Sequence, residues 1–161
     1  YGKAEAEAKA RHTLPRQGSN RNGLSSWLRF GYYYLDYLIG QWIVHFRYSR
    51  RGVVVLYDRY YFDFIVDGRR SNLAVSPAIV RALYALIRAP RLNFLLYAKP
   101  SRILARKQEL DADTIRELTL NYKALFAQLQ SRRGPATYLA IDNHVLEETL
   151  AAMEEAFIEI A

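Results

Sequence analysis

The chain has 161 residues, 51% hydrophobic and 24% charged, which is typical of a globular domain with a core of its own. It contains no cysteine, which excludes disulfides, thiolate metal sites and a cysteine nucleophile and is compatible with a reducing compartment. A formal net charge of +7 favours anionic partners such as nucleotides, nucleic acid or a membrane surface. No secretory signal is visible from Tyr1 onward, and we expect a cytoplasmic protein.

The first 26 residues differ in composition from the rest of the chain. Residues 2–11 are rich in helix formers but lack an apolar stripe, which predicts a solvated helix. Residues 12–26 are rich in Gly, Asn, Ser and Arg and predict a basic loop. We therefore expect an N-terminal helix and basic loop over 1–26 and an α/β domain over 27–161. The arginines of the loop leave a nucleic-acid-binding arm as an alternative to a solvated loop.

An aromatic helix is predicted over 27–48, with Ser25 or Ser26 as its cap. Its apolar face is expected to carry the residues that recur at helical spacing, which are Trp27, Phe30, Tyr34, Tyr37, Leu38, Gln41 and Val44. Charged residues and tyrosine hydroxyls interrupt the stretch, which favours a partly buried helix over a membrane span. The tyrosines at 32–34 are able to stack a base, although core packing is the commoner use of such a cluster.

The next stretch, 52–68, reads GVVVLYDRYYFDFIVDG. Its aliphatic run at 53–56 predicts a strand buried on both faces, as in a parallel sheet. The run is followed by Asp58 and Arg59, at the strand edge where open α/β sheets bind ligands. A carboxylate can hold a metal-bound water or a hydroxyl proton, and a guanidinium can fork onto phosphate oxygens. A purely structural Asp–Arg pair is the alternative.

The remaining elements alternate between helices and strands. Helices are predicted over 60–66, 77–88, 101–109, 114–131 and 145–160, and strands over 92–98 and 137–141. Thr114 and Glu117 stand at capping-box spacing and predict the start of the fourth of these helices. Alternation of this kind predicts an α/β fold with a parallel sheet and right-handed crossovers.

Four stretches, in this order, resemble the P-loop nucleoside-monophosphate kinases, and thymidylate kinases most. Residues 52–60 (GVVVLYDRY) resemble that family's strand and its DR(Y/H) motif, and 95–100 (LLYAKP) its next strand. Residues 102–109 resemble its arginine-bearing lid, and 138–142 its last strand. The resemblance covers roughly 27–161 and implies a three-layer fold in which helices flank a parallel sheet.

The sequence also departs from that family's pattern. The phosphate loop G-x-x-x-x-G-K-[ST] is absent, and residues 2–4 are a poor remnant of it. We expect the strand and loop that carry it to precede Tyr1 in the native chain; otherwise the chain is not a working kinase as it stands. Tyr37 stands where the family usually has an arginine, and Asp63 where it usually has a serine. These two differences predict an acceptor other than thymidylate.

The resemblance implies phosphoryl transfer from ATP with Mg²⁺, a reaction that depends mostly on positioning and charge neutralisation. It implies that Asp58 holds a magnesium-bound water or orients the acceptor oxygen, and that Arg59 holds the acceptor's phosphate. Asp63 and Asp67 are weaker candidates for a metal or acceptor contact. The other implied contacts with the acceptor are Tyr37, Tyr60, Asp63, Arg69 and Arg70, and the implied lid residues are Arg102, Arg106 and Lys107.

Two alternatives from other classes stay open. The missing phosphate loop is compatible with a non-catalytic nucleotide-binding or interaction module. The basic charge is compatible with nucleic-acid binding, which no recognised motif supports and which we do not favour. The resemblance further implies a homodimer that packs the 27–48 helices together, and we expect no membrane partner.

Overall fold

The structure is a computed structural model that describes residues 23–106, 108–132 and 134–160. It is an α/β protein, mostly helical, with a small parallel sheet. The chain divides into two compact units, residues 1–88 and residues 89–161. The predicted N-terminal helix and most of the basic loop lie outside the described residues.

Helices form the regular structure of the first unit. Helix α1 spans Gly23–Arg47, α2 spans Phe62–Val66 and α3 spans Pro77–Leu83. Single 3₁₀ turns lie at Ser49–Arg51, Gly68–Ser71 and Tyr84–Leu86. The aromatic helix is therefore confirmed, whereas the helix predicted over 77–88 ends as an α-helix at Leu83.

Ser26 lies within α1 instead of capping it. The helix begins at Gly23, and Ser26 is fully buried one turn further on. Its hydroxyl oxygen accepts a hydrogen bond from the backbone N–H of Ala74. The serine therefore joins α1 to the segment before α3, and the predicted cap was wrong because the side chain has a tertiary partner.

Aromatic rings build the core of the first unit. Tyr61 is completely buried, and its hydroxyl donates to the backbone oxygen of Val80 at 2.9 Å. The Tyr61 ring lies 5.7 Å, between centroids, from the rings of Tyr37 and Tyr84. Phe30 is also buried. Phe30 and Tyr37 belong to the predicted apolar face of α1, so that face is the one that meets this core.

The strand predicted at 53–56 does not form. Residues 53–57 form no regular secondary structure, and Val54 and Leu56 are 62% and 90% exposed. No strand among the described residues pairs with this segment. A strand is stable only when neighbouring strands satisfy its N–H and C=O groups and cover its side chains. The aliphatic run is suited to a buried strand, but the described part of the chain offers it no strand to pair with.

The described residues of the second unit form two strands and three helices. Strand β1 spans Leu92–Tyr97, and β2 spans Thr137–Asp142. Helix α4 spans Pro100–Arg106, α5 spans Ala112–Ser131 and α6 spans Leu146–Ile158. The strands pair in parallel, with Leu92 opposite Thr137 and Tyr97 opposite Asp142. Both predicted strands and their parallel direction are confirmed, but the described residues contain this two-stranded sheet instead of the larger one that the resemblance implies.

Asn93 fixes the beginning of the sheet. Its side chain is buried, and its Nδ2 donates to the backbone oxygens of Pro90 at 3.0 Å and Thr137 at 3.1 Å. A buried amide must find such partners, because an unpaired polar group in the core costs about 1–3 kcal/mol. Asn93 therefore links the two strands from within.

Helix α5 is capped by Asp111 and not by Thr114. The Asp111 carboxylate accepts hydrogen bonds from the backbone N–H of Thr114 at 2.8 Å and from its hydroxyl at 2.7 Å. These bonds, the backbone one first, lower the pKa of Asp111 below its usual value. The capping box predicted at Thr114 and Glu117 was wrong because an earlier aspartate already satisfies the first turn.

Candidate functional site

The backbone at Arg59 is the unusual feature of the predicted motif. Arg59 has a φ of 77°, in the left-handed region. That conformation costs a residue with a Cβ roughly 1–2 kcal/mol of free energy, so contacts made by the adjacent residues must hold Arg59 in it. The following residue is well anchored, since Tyr60 is buried and its hydroxyl donates to the backbone oxygen of Arg88 at 2.6 Å. The chain therefore turns sharply at 58–59, leaving two exposed charged residues before a tyrosine that enters the core.

Arg59 meets one of the predicted acceptor contacts. Its Nη1 lies 3.2 Å from Oδ2 of Asp63, one helical turn further on. The Arg59 side chain is half-exposed and that of Asp63 is more covered, so the pair contributes roughly 0.5 kcal/mol at most. A guanidinium has five N–H donors, and this ion pair engages few of them. Arg59 is thus oriented by Asp63 while keeping donors for an anion.

Asp58 stands beside this pair with an exposed carboxylate. Within the described ranges, His, Asp and Glu residues form no group of three or more that could hold a metal ion. Magnesium in phosphoryl-transfer sites needs only one or two carboxylates, because water and substrate phosphates supply its other ligands. Asp58 therefore fits a magnesium ion shared with a bound phosphate, and does not fit a metal site built from protein ligands alone.

Aromatic rings border the turn. The Tyr60 ring lies 5.3 Å from that of Tyr57 and 5.5 Å from that of Tyr37. Burial raises the pKa of both Tyr37 and Tyr57, and the Asp63 carboxylate raises that of Tyr37 further. Both hydroxyls therefore stay neutral donors at physiological pH. The Tyr57 ring is partly exposed and offers a planar surface of the kind on which a base stacks.

Arg69 and Arg70 lie at the far end of α2. The two arginines are exposed on the 3₁₀ turn that follows the helix. The backbone N–H of Asp67 donates to the backbone oxygen of Asp63 at 2.8 Å, which connects this turn to the first turn of α2. Of the predicted acceptor contacts, Asp63 pairs with Arg59, and Tyr37 packs against Tyr60, the residue after Arg59. Arg69 and Arg70 follow α2 at its other end.

In the second unit, the predicted lid arginines line a cavity. Arg102 and Arg106 border a space of about 260 Å³ with Asn143 and His144. Arg102 Nη1 lies 2.8 Å from Nδ1 of His144 and also donates to the His144 backbone oxygen. The cavity follows the carboxyl ends of β1 and β2, where ligands of parallel sheets bind. Lys107 lies outside the described residues.

Asn143 and His144 were missed by the sequence analysis. Both come directly after β2, at the same sheet edge as the residues that follow β1. Parallel strands place their carboxyl ends together, so the position after each strand was an available signal. His144 is the first histidine after β2, and its ring nitrogens can donate or accept a hydrogen bond at that edge.

Comparison of the chain with protein-family models, curated proteins and solved structures finds no match. What the two sites do must therefore be argued from their own residues. None of the helices in the described ranges has both the length and the apolar run that crossing a membrane requires.

Proposed function

We propose that this chain is an ATP-dependent phosphotransferase that resembles thymidylate and other nucleoside-monophosphate kinases, and that the turn in its first unit binds the phosphoryl acceptor, a nucleotide or another small molecule. The observation that carries the proposal is the turn at Asp58 and Arg59. A strained, charged residue on the surface is expected where the strain serves a function. The predicted motif and the conformational outlier coincide at the same residue.

Each residue of the turn has a role in this proposal. Arg59 binds the phosphate of the acceptor through the guanidinium donors that Asp63 leaves open. Asp58 orients the acceptor oxygen or holds a magnesium-bound water. The Tyr57 ring stacks on the base of a nucleotide acceptor, and the neutral hydroxyl of Tyr37 contributes a hydrogen bond.

The second unit contributes the phosphate-binding side chains of the lid. Arg102 and Arg106 bind the phosphates of the donor, and His144 holds Arg102 in place before the donor arrives. When bound, magnesium supplies charge neutralisation on the transferred group. Phosphoryl transfer by such enzymes also uses a phosphate loop, a motif that the printed sequence does not contain.

A test uses the complete reading frame with ATP, magnesium and a panel of nucleoside monophosphates. We expect Asp58→Asn to lower kcat by about 100-fold or more. We expect Arg59→Lys to raise the KM of the acceptor, because an ammonium cannot form the forked contact. Arg88→Ala, which removes another exposed arginine of the first unit, is the control and should leave both parameters unchanged.

The second candidate function is a binding or interaction module without catalysis. It needs only the guanidinium of Arg59, which Asp63 orients and which keeps donors for an anion, and it requires no phosphate loop. Acceptor binding that depends on Arg59, without any phosphoryl transfer by the complete protein, would establish this second function. Neither binding nor transfer in a folded, complete protein would refute both.

A further inference from the structure

The contact between Arg102 and His144 determines which ring nitrogen of the histidine carries its proton. Arg102 Nη1 lies 2.8 Å from His144 Nδ1, and an arginine guanidinium has donors only. We therefore assign Nδ1 as the acceptor, which requires a neutral ring with its proton on Nε2. The same Nη1 also donates to the backbone oxygen of His144, so two contacts hold Arg102 at the edge of the cavity described above.

A proton added to Nδ1 of His144 breaks its contact with Arg102. Nδ1 then becomes a donor that faces another donor, and a cationic ring stands beside a cationic guanidinium. Histidine is the side chain whose ordinary charge change falls between about pH 5 and pH 8. The cavity therefore has two states near neutral pH. In one state His144 holds Arg102, and in the other both side chains are cations that can bind an anion.

The described groups that line the cavity with His144 are cationic or neutral. The cations are Arg102 and Arg106 of α4, and neither α4 nor β1 contains an acid. From α5, the Lys123 ammonium lies over the Tyr97 ring at the end of β1, 3.2 Å from the ring centroid. The acids on the histidine's own stretch of chain are exposed and, within the described residues, form no ion pair with it; they are Asp142, Glu147 and Glu148. An anion in this cavity therefore meets two arginines and no lining carboxylate of the described chain.

We propose that the cavity takes up a proton at His144 when an anion enters, and that it therefore binds doubly charged anions, such as phosphate groups, more tightly as the pH falls. Three like charges in one cavity repel one another, and a bound dianion offsets that repulsion. Anion binding and protonation of His144 thus favour each other, by the same factor in both directions.

The size of the cavity agrees with a ligand of this kind. Its volume of about 260 Å³ is below the range of roughly 300–1,000 Å³ that is usual for pockets of drug-sized ligands, so it suits a phosphate group better than a whole nucleotide. The inference rests on the phosphate-binding role proposed for Arg102 and Arg106, and it adds a second role for His144. The histidine positions Arg102 while the cavity is empty and becomes a third cation beside the anion once it is filled.

Calorimetric titration of the full chain with sodium sulfate tests this coupling, because sulfate keeps both of its charges in the pH range where phosphate groups titrate. We expect the wild type to bind sulfate about 5–10-fold more tightly at about pH 6 than at about pH 8, at the lower end of the range for coupled sites because the contact is exposed to solvent. Near neutral pH, titrations in buffers of different ionisation enthalpy should show that binding takes up protons.

Two glutamine variants assign the effect to one histidine. His144→Gln keeps an oxygen that accepts from Arg102 but does not gain a proton, so its affinity for sulfate should be the same at both pH values. His45→Gln makes the same change on α1 in the first unit and should leave the pH dependence intact. Far-UV circular dichroism checks that both variants are folded, and His144→Asn replaces His144→Gln if that variant is not.

The titration separates this inference from the proposed enzyme, because it involves no phosphoryl transfer. A wild type that binds no sulfate, a sulfate affinity that does not change with pH, or a pH dependence that survives in His144→Gln overturns the inference, even in a protein that transfers phosphoryl groups. Conversely, a complete protein that transfers nothing, but binds sulfate with uptake of a proton at His144, refutes the enzyme and supports the inference.

Discussion

Replacing Arg59 by glycine and by alanine separates the strain of its backbone from the chemistry of its side chain. Both substitutions remove the guanidinium and its ion pair with Asp63, an exposed contact worth about 0.3–0.5 kcal/mol. Only glycine also relieves the left-handed conformation, because it has no Cβ to crowd the backbone. The two variants therefore differ in strain and not in lost contacts.

The size of the difference follows from two opposing terms. The left-handed region costs a residue with a Cβ roughly 1–2 kcal/mol. Glycine loses about 0.5–1 kcal/mol more conformational entropy on folding than alanine does. We expect Arg59→Gly to be more stable than Arg59→Ala by about 0.5–1 kcal/mol, and at least as stable as the wild type. Both variants should lose acceptor binding equally.

Tryptophan fluorescence is a suitable assay, since both tryptophans, Trp27 and Trp42, lie on α1 in the first unit. Urea unfolding followed in this way reports on the unit that contains Arg59. Arg88 provides the control, because it is exposed and has a negative φ, so there the glycine variant should be less stable than the alanine variant. The same order of stabilities at both positions would refute the strain argument.

Three further outcomes are expected. Tyr61→Phe should destabilise the first unit by about 1 kcal/mol, because a buried hydroxyl no longer donates to Val80; tryptophan-monitored urea unfolding measures this. The first unit should lose stability as the pH rises above 10, the ordinary tyrosine pKa, since burial raises the pKa of Tyr61 and the folded state holds a proton that the unfolded chain releases. Tyr61→Phe should reduce this alkaline loss, and an unchanged pH profile would contradict the assignment. Asn93→Ala should cost about 2 kcal/mol by removing the two hydrogen bonds that its side chain donates to the backbone oxygens of Pro90 and Thr137, and faster amide exchange in β1 and β2 would reveal it.

The sequence correctly predicted the helices and strands that are specified by residues close together in the chain. The aliphatic runs of β1 and β2, each bounded by breakers, identified both strands, and helical spacing identified α1 and its buried face. The run at 53–56 has the same kind of composition, yet pairing is a property of a neighbour that the run itself does not encode. The predicted cap of α5 was wrong for a related reason. Asp111 and Thr114 are both good capping residues, and only the position at which the folded helix begins selects Asp111.

The candidate site was predictable as a set of residue types but not as a conformation. Asp58 and Arg59 stand out in sequence because charge follows an aliphatic run. Nothing in the sequence indicates that Arg59 has a positive φ, a conformation usually taken by glycine or asparagine.

The exposed segment 53–57 has a consequence for handling the protein. Five consecutive apolar or aromatic residues, without charge or proline, lie outside every described helix and strand, and four of them are exposed. Such a segment is a template for cross-β stacking between molecules. Concentrated samples of this chain are therefore expected to form β-rich aggregates that begin here. Leu56, the most exposed of the five, is the natural place for a gatekeeper lysine that keeps such samples in solution.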